Sequence, residues 1–235
     1  MGVEGSGERR SGNCSYGSPH FLVEKGDFEN YGEGRVKIGI LAVQGDYEAH
    51  AAMLERLDAA SVLVRVPGDV EGCAGLILPG GESTTQMQFL REEGLQERIR
   101  EFAAAGGAIF GTCAGAILLA QEVKNPRQDS LGLLDATVLR NGYGRQIWSA
   151  VVSGHCVWKS EPLEMVFIRG PVFERIGPGV EVLAEYDGKP VLVRQGKILA
   201  ASFHPELTAD TSVHERFLQL AGFPAAAETA AAQRQ

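Results

Sequence analysis

Cys113 stands midway between two glycines in Gly111-Thr112-Cys113-Ala114-Gly115, after the apolar run Ala108-Ile109-Phe110 and before Ala116-Ile117-Leu118-Leu119. This is the cysteine form of the G-x-S-x-G turn, in which a strand reverses sharply into a helix. The reversal drives the central residue toward an unfavourable backbone conformation and brings flanking backbone too close for side chains, so glycine is needed on both sides. The sulfur is then expected to stand exposed above the carboxyl ends of a sheet. There the amides and the positive end of the following helix favour thiolate over thiol. The plainer alternative is a structural cysteine buried beside a helix.

A thiol nucleophile needs a base. His204 follows the apolar run Leu199-Ala200-Ala201-Ser202-Phe203, at the end of an expected strand, where catalytic groups gather in α/β sheets. Imidazole titrates near neutrality, so it can take the thiol proton and return it to a leaving amine. Glu206 can orient the ring if Pro205 turns the chain far enough for the carboxylate to reach the second nitrogen. His20 falls in a glycine-rich start, while His50 and His214 fall in helices, and none of the three is assigned a role. His155 is a competitor, but it lacks a strand-end position and its nearest carboxylate is Glu161. A third element, Pro79-Gly80-Gly81-Glu82-Ser83-Thr84, lies between a strand and a helix, so its amides can form a nest for a developing oxyanion. Otherwise it is a glycine turn; it fits neither GxxxxGK[ST] nor GxGxxG.

The elements that must position these groups follow from the apolar pattern. Residues 36–43 (VKIGILAV) predict a buried parallel strand ending at Gln44-Gly45. Asp46 is placed to cap a helix with Ala49, Met53, Leu54 and Leu57 on one face. Strands at 61–66 and 73–78, helices at 84–90 and 95–105, a strand at 108–110 and a helix at 116–121 complete the first half. Such alternation calls for an α/β fold, a mostly parallel sheet covered by helices on both faces. The second half changes to short runs at 133–139, 151–152, 165–168, 180–186, 190–195 and 198–202, expected as strands with several antiparallel, closed by a helix at 213–220. One domain is expected over residues 36–221. Residues 1–35 hold eight glycines without an apolar period and are expected to form a disordered extension, and residues 222–235 a frayed tail.

A chain of 235 residues with 44% hydrophobic and 22% charged residues can bury one sizeable core. A formal net charge of -8, with Arg9-Arg10 too short for a basic arm, argues against nucleic-acid binding. No run approaches the length of a membrane-spanning helix and the start has no apolar signal core, so a cytoplasmic location is expected. The four cysteines lie far apart, forming neither a CxxC pair nor a metal-ligand cluster. Cys73 and Cys156 are expected to be buried apolar side chains, and no metal or organic cofactor is expected.

Six ordered segments carry a resemblance: LAVQGDYEAH (41–50), LILPGGESTT (76–85), FGTCAG (110–115), LGLLDATVLRNGYGRQ (131–146), FIRGP (167–171) and SFHPELT (202–208). Together they resemble the class I glutamine amidotransferases, and among them the branch forming the glutaminase subunit of pyridoxal 5'-phosphate synthase. The resemblance implies hydrolysis of L-glutamine to glutamate and ammonia, with ammonia passed to a synthase subunit. It implies Cys113, His204 and Glu206 as catalytic triad, and Gly81, Glu82, Ser83, Arg140, Ile168 and Arg169 as the residues that hold glutamine. Gln44 and Gly45, with the amide of Ala114, are implied to complete the oxyanion hole when the synthase subunit docks. A guanidinium at Arg140 suits the substrate carboxylate, which its planar fork can bind with paired charge-assisted bonds. Gly170 stands where alanine is common, a change expected to affect local flexibility and not chemistry. Residues 147–155, with Trp148 and His155, are less typical, and the extension precedes a strand near the expected docking surface. Three other readings are a glutaminase serving another pathway, a regulatory subunit that has lost turnover, and a redox sensor. GESTT and FHPELT weigh against the first, the intact triad against the second, and the ordered Arg140, Arg169 and His204-Pro205-Glu206 set against the third.

Overall fold

The computed structural model describes residues 37–142 and 149–224. The expectations for residues 1–35, for Trp148 and for the tail beyond residue 224 lie outside the described residues. The first half runs β1 (Lys37–Leu41), α1 (Tyr47–Arg56), β2 (Ala60–Val64), β3 (Cys73–Leu78), α2 (Ser83–Glu92), α3 (Leu95–Ala104), β4 (Ala108–Thr112) and α4 (Ala114–Leu119). Then follow β5 (Ala120–Lys124), β6 (Leu134–Leu139), β7 (Ser149–Cys156), β8 (Lys159–Ile168), β9 (Val172–Ile176), β10 (Glu181–Tyr186), β11 (Lys189–Gln195), β12 (Ile198–Ala201) and α5 (Ser212–Leu220).

The large sheet has the order β2-β1-β3-β4-β12-β11-β10-β7-β8. From β2 to β12 every pairing is parallel, and from β12 to β8 every pairing is antiparallel. The fold is α/β with an antiparallel portion from the second half of the chain, as expected, and the parallel part carries Cys113 and His204. Successive side chains of a strand point to opposite faces, so Leu76 and Leu78 join one apolar cluster and Ile77 the other. The parallel strands are therefore apolar on both faces, which is why they read as continuous runs.

A smaller sheet, β5-β6-β9, has a parallel and an antiparallel pairing. Neither β5 nor β9 was expected. The helix predicted at 116–121 instead spans Ala114–Leu119, because amides from a distant loop take its last carbonyls: Leu131 N–H donates to Leu118 O at 2.7 Å and Leu133 N–H to Leu119 O at 2.9 Å. No local pattern could announce those partners. Strands β7 and β8 also extend well beyond the short apolar runs at 151–152 and 165–168, with exposed positions throughout β7.

Helix α1 corrects two details. Asp46 occupies its cap position, yet the carboxylate makes no capping hydrogen bond. The buried residues of α1 are His50, Met53 and Leu54, with Ala49 only half-buried. At the other end of the fold, Phe223 packs against the core and its N–H donates to Leu218 O at 2.9 Å.

Candidate active site

Strand β4 delivers Cys113 into a left-handed conformation with φ 49° and ψ −102°. Positive φ at a residue with a Cβ is strained and persists only when the surroundings enforce it. Here they do: a Cβ at Gly111 would meet the Gly115 carbonyl carbon at 2.6 Å, and one at Gly115 would overlap the Leu78 carbonyl oxygen. The Cys113 N–H donates to Ala201 O at 2.8 Å, fastening the turn to the end of β12. The exposed sulfur that the pattern implied is corrected. Cys113 is only 7% exposed, and its Sγ lies 3.9 Å from the Ile168 carbonyl oxygen, because the end of β8 reaches over it.

His204 follows β12 on the strand adjacent to β4. Its N–H donates to Val166 O at 2.8 Å, and a 3-10 turn over Pro205–Leu207 folds the chain back. The fixed φ of proline sets that reversal, so the Glu206 carboxylate returns to the ring, with Oε1 2.8 Å from His204 Nδ1. Burial opposes a charge on His204, but Cys113 and Glu206 outweigh it and raise its pKa to about 10. Cys113 acts from outside ordinary hydrogen-bond geometry, since Nε2 is buried without a hydrogen-bond partner among the described residues. Burial pushes Glu206 above the usual carboxylate range, against the pull of His204. Asp46 Oδ2 lies 3.4 Å from the same Nδ1. Asp46, His204 and Glu206 are the described residues whose ligand atoms cluster tightly enough for a cation, but those atoms are engaged with one another.

The loop after β3 lies against His204: a Cβ at Gly80 would approach the ring Nδ1 to 2.9 Å. Gly81 takes φ +149° and Gly45 φ +106°, both favouring glycine. Gln44 Oε1 accepts from Glu82 N–H at 2.6 Å, Gln86 Nε2 donates to Gln44 O at 2.9 Å, and Asp46 N–H donates to Gly80 O at 3.3 Å. The segment from Gln44 to Asp46 is thus laced to the 79–82 loop. Glu82 caps α2 by accepting from Thr85 N–H at 2.8 Å, and its Oε1 accepts from Arg140 Nη2 at 3.0 Å. Ser83, 2% exposed, donates through Oγ to Gln128 Oε1 at 2.9 Å. Glu82, Ser83 and Arg140 therefore lie together at the start of α2, while the Ile168 carbonyl approaches Cys113 from the end of β8, with Arg169 next in the chain at φ 48°. Gly170 is also a packing position, since a Cβ there would press on the Ser202 carbonyl two residues before His204.

Sequence reasoning missed the groups behind this pair. His50 Nε2 lies 3.1 Å from Thr112 Oγ1 and 3.6 Å from Glu206 Oε2, and His50 Nδ1 lies 3.0 Å from His214 Nε2. A signal existed: the spacing of 50, 53, 54 and 57 puts His50 on the apolar face of α1, and a polar group on such a face requires a partner.

A strained cysteine beside an imidazole–carboxylate pair, on neighbouring parallel strands of an α/β sheet, is the arrangement of a cysteine-dependent acyl-transfer enzyme. A family model described as the SNO glutamine amidotransferase family matches residues 40–221, and the chain belongs to that family. It is 55% identical over 185 residues to "Pyridoxal 5'-phosphate synthase subunit PdxT" of Koribacter versatilis, covering 79% of this chain and 95% of that protein. It is 52% identical over 187 residues to the protein of the same name from Thermus thermophilus, covering 79% and 97%. A structure described as "Crystal structure of glutamine amidotransferase" superposes with a TM-score of 0.76 at 49% identity, over 79% of this chain and 99% of that one. "Structure of PurLQS from Thermotoga maritima", at 18% identity and a TM-score of 0.62 over 79% and 98%, shares the fold.

Proposed function

We propose that this protein is the glutaminase subunit of a pyridoxal 5'-phosphate synthase, with Cys113, His204 and Glu206 as its catalytic triad. The observation that carries the assignment is the 2.8 Å His204–Glu206 pair set beside a cysteine in strained, glycine-flanked geometry. The Cys113 proton passes to His204 Nε2, as the raised pKa of that ring favours, and the sulfur attacks the side-chain carbonyl carbon of L-glutamine as its thiolate. The tetrahedral oxyanion collapses, the C–N bond breaks, and His204 protonates the departing ammonia. Water then hydrolyses the γ-glutamyl thioester, releasing glutamate and restoring the thiol. Glu206 holds the ring so that Nδ1 carries a proton and Nε2 faces the sulfur.

Gly81, Glu82, Ser83, Arg140, Ile168 and Arg169 form the glutamine site, with the Arg140 guanidinium for the α-carboxylate. The oxyanion receives amides near Gly81 and Ala114. Gln44 and Gly45 govern that site: the Glu82 N–H is held by the Gln44 side chain, so docking of the synthase subunit must rearrange this contact to bring the hole to full strength. Ammonia passes to that subunit, and the chain itself uses neither metal nor organic cofactor. A cytoplasmic setting suits the free thiols at Cys73, Cys113 and Cys156, and no helix among the described residues is long and apolar enough to cross a membrane.

The test is ammonia release from labelled glutamine with and without the synthase subunit. Strong stimulation by that subunit, and its abolition in Cys113→Ala, are expected. Equal rates without the partner would remove the pathway assignment, and activity retained in Cys113→Ala would remove the nucleophile.

A further inference from the structure

His50, Thr112 and His214 contribute nothing to the mechanism above, yet all three are completely buried and lie behind it. They come from three elements, α1, the end of β4 and α5, and form a chain ending at Glu206: His214 meets His50, and His50 and Thr112 meet the carboxylate. Resting on the assignment of His204 and Glu206 to the triad, we propose that they form a column of one-way hydrogen bonds that holds the Glu206 carboxylate ionised and in place, making His50 a positioning residue for glutamine hydrolysis.

Counting protons gives the direction. Glu206 Oε1 accepts from Thr112 Oγ1 at 3.5 Å as well as facing His204 Nδ1. If the single hydroxyl proton of Thr112 points to the carboxylate, its oxygen must accept from His50, which places the His50 proton on Nε2. The same Nε2–H then faces Glu206 Oε2, which has no hydrogen-bond partner among the described residues. His50 Nδ1 is bare and accepts from His214 Nε2–H, leaving His214 Nδ1 bare, and that atom indeed has no partner among the described residues. The reverse direction sets a bare His50 nitrogen against a carboxylate oxygen and buries an unsatisfied N–H on His214, two penalties the first direction avoids. A proton on Glu206 does not resolve the conflict, because 3.6 Å is too long for it to donate to His50.

Both imidazoles are held neutral. Phe110 packs in T-shaped contacts with His50 and His214 at ring-centroid distances of 6.1 and 5.5 Å. Burial, then His214 and His204, keep His50 well below 6.5, and burial with Arg56 takes His214 to about 3. The charged and titratable groups facing the column are thus Glu206 and His204 beyond β12, Asp46 before α1 and Arg56 at its end.

The experiment uses the full chain with its synthase subunit. Long-range ¹H–¹⁵N correlation of histidine-labelled protein is expected to show His50 and His214 as neutral Nε2–H tautomers throughout pH 5 to 9. His50→Phe and Thr112→Val should lower kcat about ten- to hundredfold, the range for loss of a hydrogen bond to a charge. KM for glutamine should stay unchanged, and the acid limb of the kcat profile should rise by about one pH unit. His50→Gln and Thr112→Ser, which keep donors in place, should restore most of the rate. An Nδ1–H tautomer at His50 overturns the proposal. So do wild-type kcat and pH profile in both Phe and Val variants while Cys113→Ala is inactive. If His50→Phe fails to fold, the nearly isosteric Thr112→Val and the tautomers decide. Activity in Cys113→Ala would instead overturn the triad beneath the proposal.

Discussion

Asp46 Oδ2 lies 3.4 Å from His204 Nδ1, the nitrogen that Glu206 Oε1 holds at 2.8 Å, so two carboxylates converge on one ring proton. They are unequal. The Glu206 side chain is fully buried, whereas that of Asp46 is 42% exposed and belongs to the segment that carries Gln44 and Gly45. Water and salt screen an exposed charge strongly and a buried one little. Glu206→Gln is therefore expected to lower kcat by roughly three to four orders of magnitude, as loss of a triad orienting carboxylate does. Asp46→Asn should lower it by less than about threefold, an effect that fades at high salt. Ammonia release at low and high ionic strength, with the synthase subunit present, measures both, and comparable losses would mean that Asp46 shares the orienting role with Glu206.

Gly45 supplies a second prediction. At φ +106° it presses so closely on the 79–82 loop that a Cβ would overlap the Gly80 carbonyl oxygen, against which the Asp46 amide is also bonded. Gly45→Ala must push the two segments apart, and glutaminase activity should fall at least about tenfold, given how steeply rate follows misplacement in a preorganised site. Gly188→Ala is the control: φ is +67° but no described atom lies within 4 Å of its Cβ position. It should lose about 1 kcal/mol of stability in urea unfolding and no activity. Full activity in Gly45→Ala would show that the contact is not part of the working site.

Cys113, His204 and Glu206 were legible in the sequence because each sits at a place that local rules mark: a glycine-flanked turn, a strand end, a proline-fixed reversal. The burial of Cys113 was not, because the covering carbonyl belongs to Ile168, 55 residues further on. The same distinction separates β3, whose CAGLIL run matches its bounds, from β5, which exists because Leu131 and Leu133 end α4 early. His50 and His214 lie 164 residues apart and acquire meaning only when α1 and α5 meet beside β4. Residues assigned to helices on periodicity alone could not reveal that pairing.

Arg140 and Glu82 supply a third prediction. The guanidinium is paired to the Glu82 carboxylate at 3.0 Å, its side chain 18% exposed. On the proposed assignment a substrate carboxylate competes for it, and the planar fork can serve two acceptors where an ammonium cannot match the geometry. Arg140→Lys should raise KM for glutamine about tenfold with little change in kcat, the pattern of lost uniform binding. Glutamine titrations at saturating synthase subunit measure the split. A fall in kcat at constant KM would place Arg140 at the reacting carbonyl instead.

The buried imidazoles also set how stability responds to pH. His50 and His214 have folded pKa values below 6.5, about 3 for His214, and so remain neutral in the folded protein when the unfolded chain is protonated. Below 6.5 the unfolded state binds more protons, so stability falls as pH falls, by about 1.4 kcal/mol per pH unit for each histidine until its folded pKa is reached. Glu206, raised above 4.5, takes a proton more readily when folded and opposes part of this loss at the acid end. His204 has the other sign: raised to about 10, it contributes stability that is fully present below 6.5 and is lost as pH rises through 10. Stability should therefore peak near neutrality and fall on both sides. Urea unfolding of the wild type and of His214→Phe at pH 7 and pH 5 isolates the acid side, because the variant lacks one of the two depressed imidazoles. Its loss between the two pH values should be smaller by about 2 kcal/mol, 1.5 pH units' worth of one histidine. An identical loss in both proteins would mean that His214 is protonated in the folded state and that its bare Nδ1 is wrongly assigned.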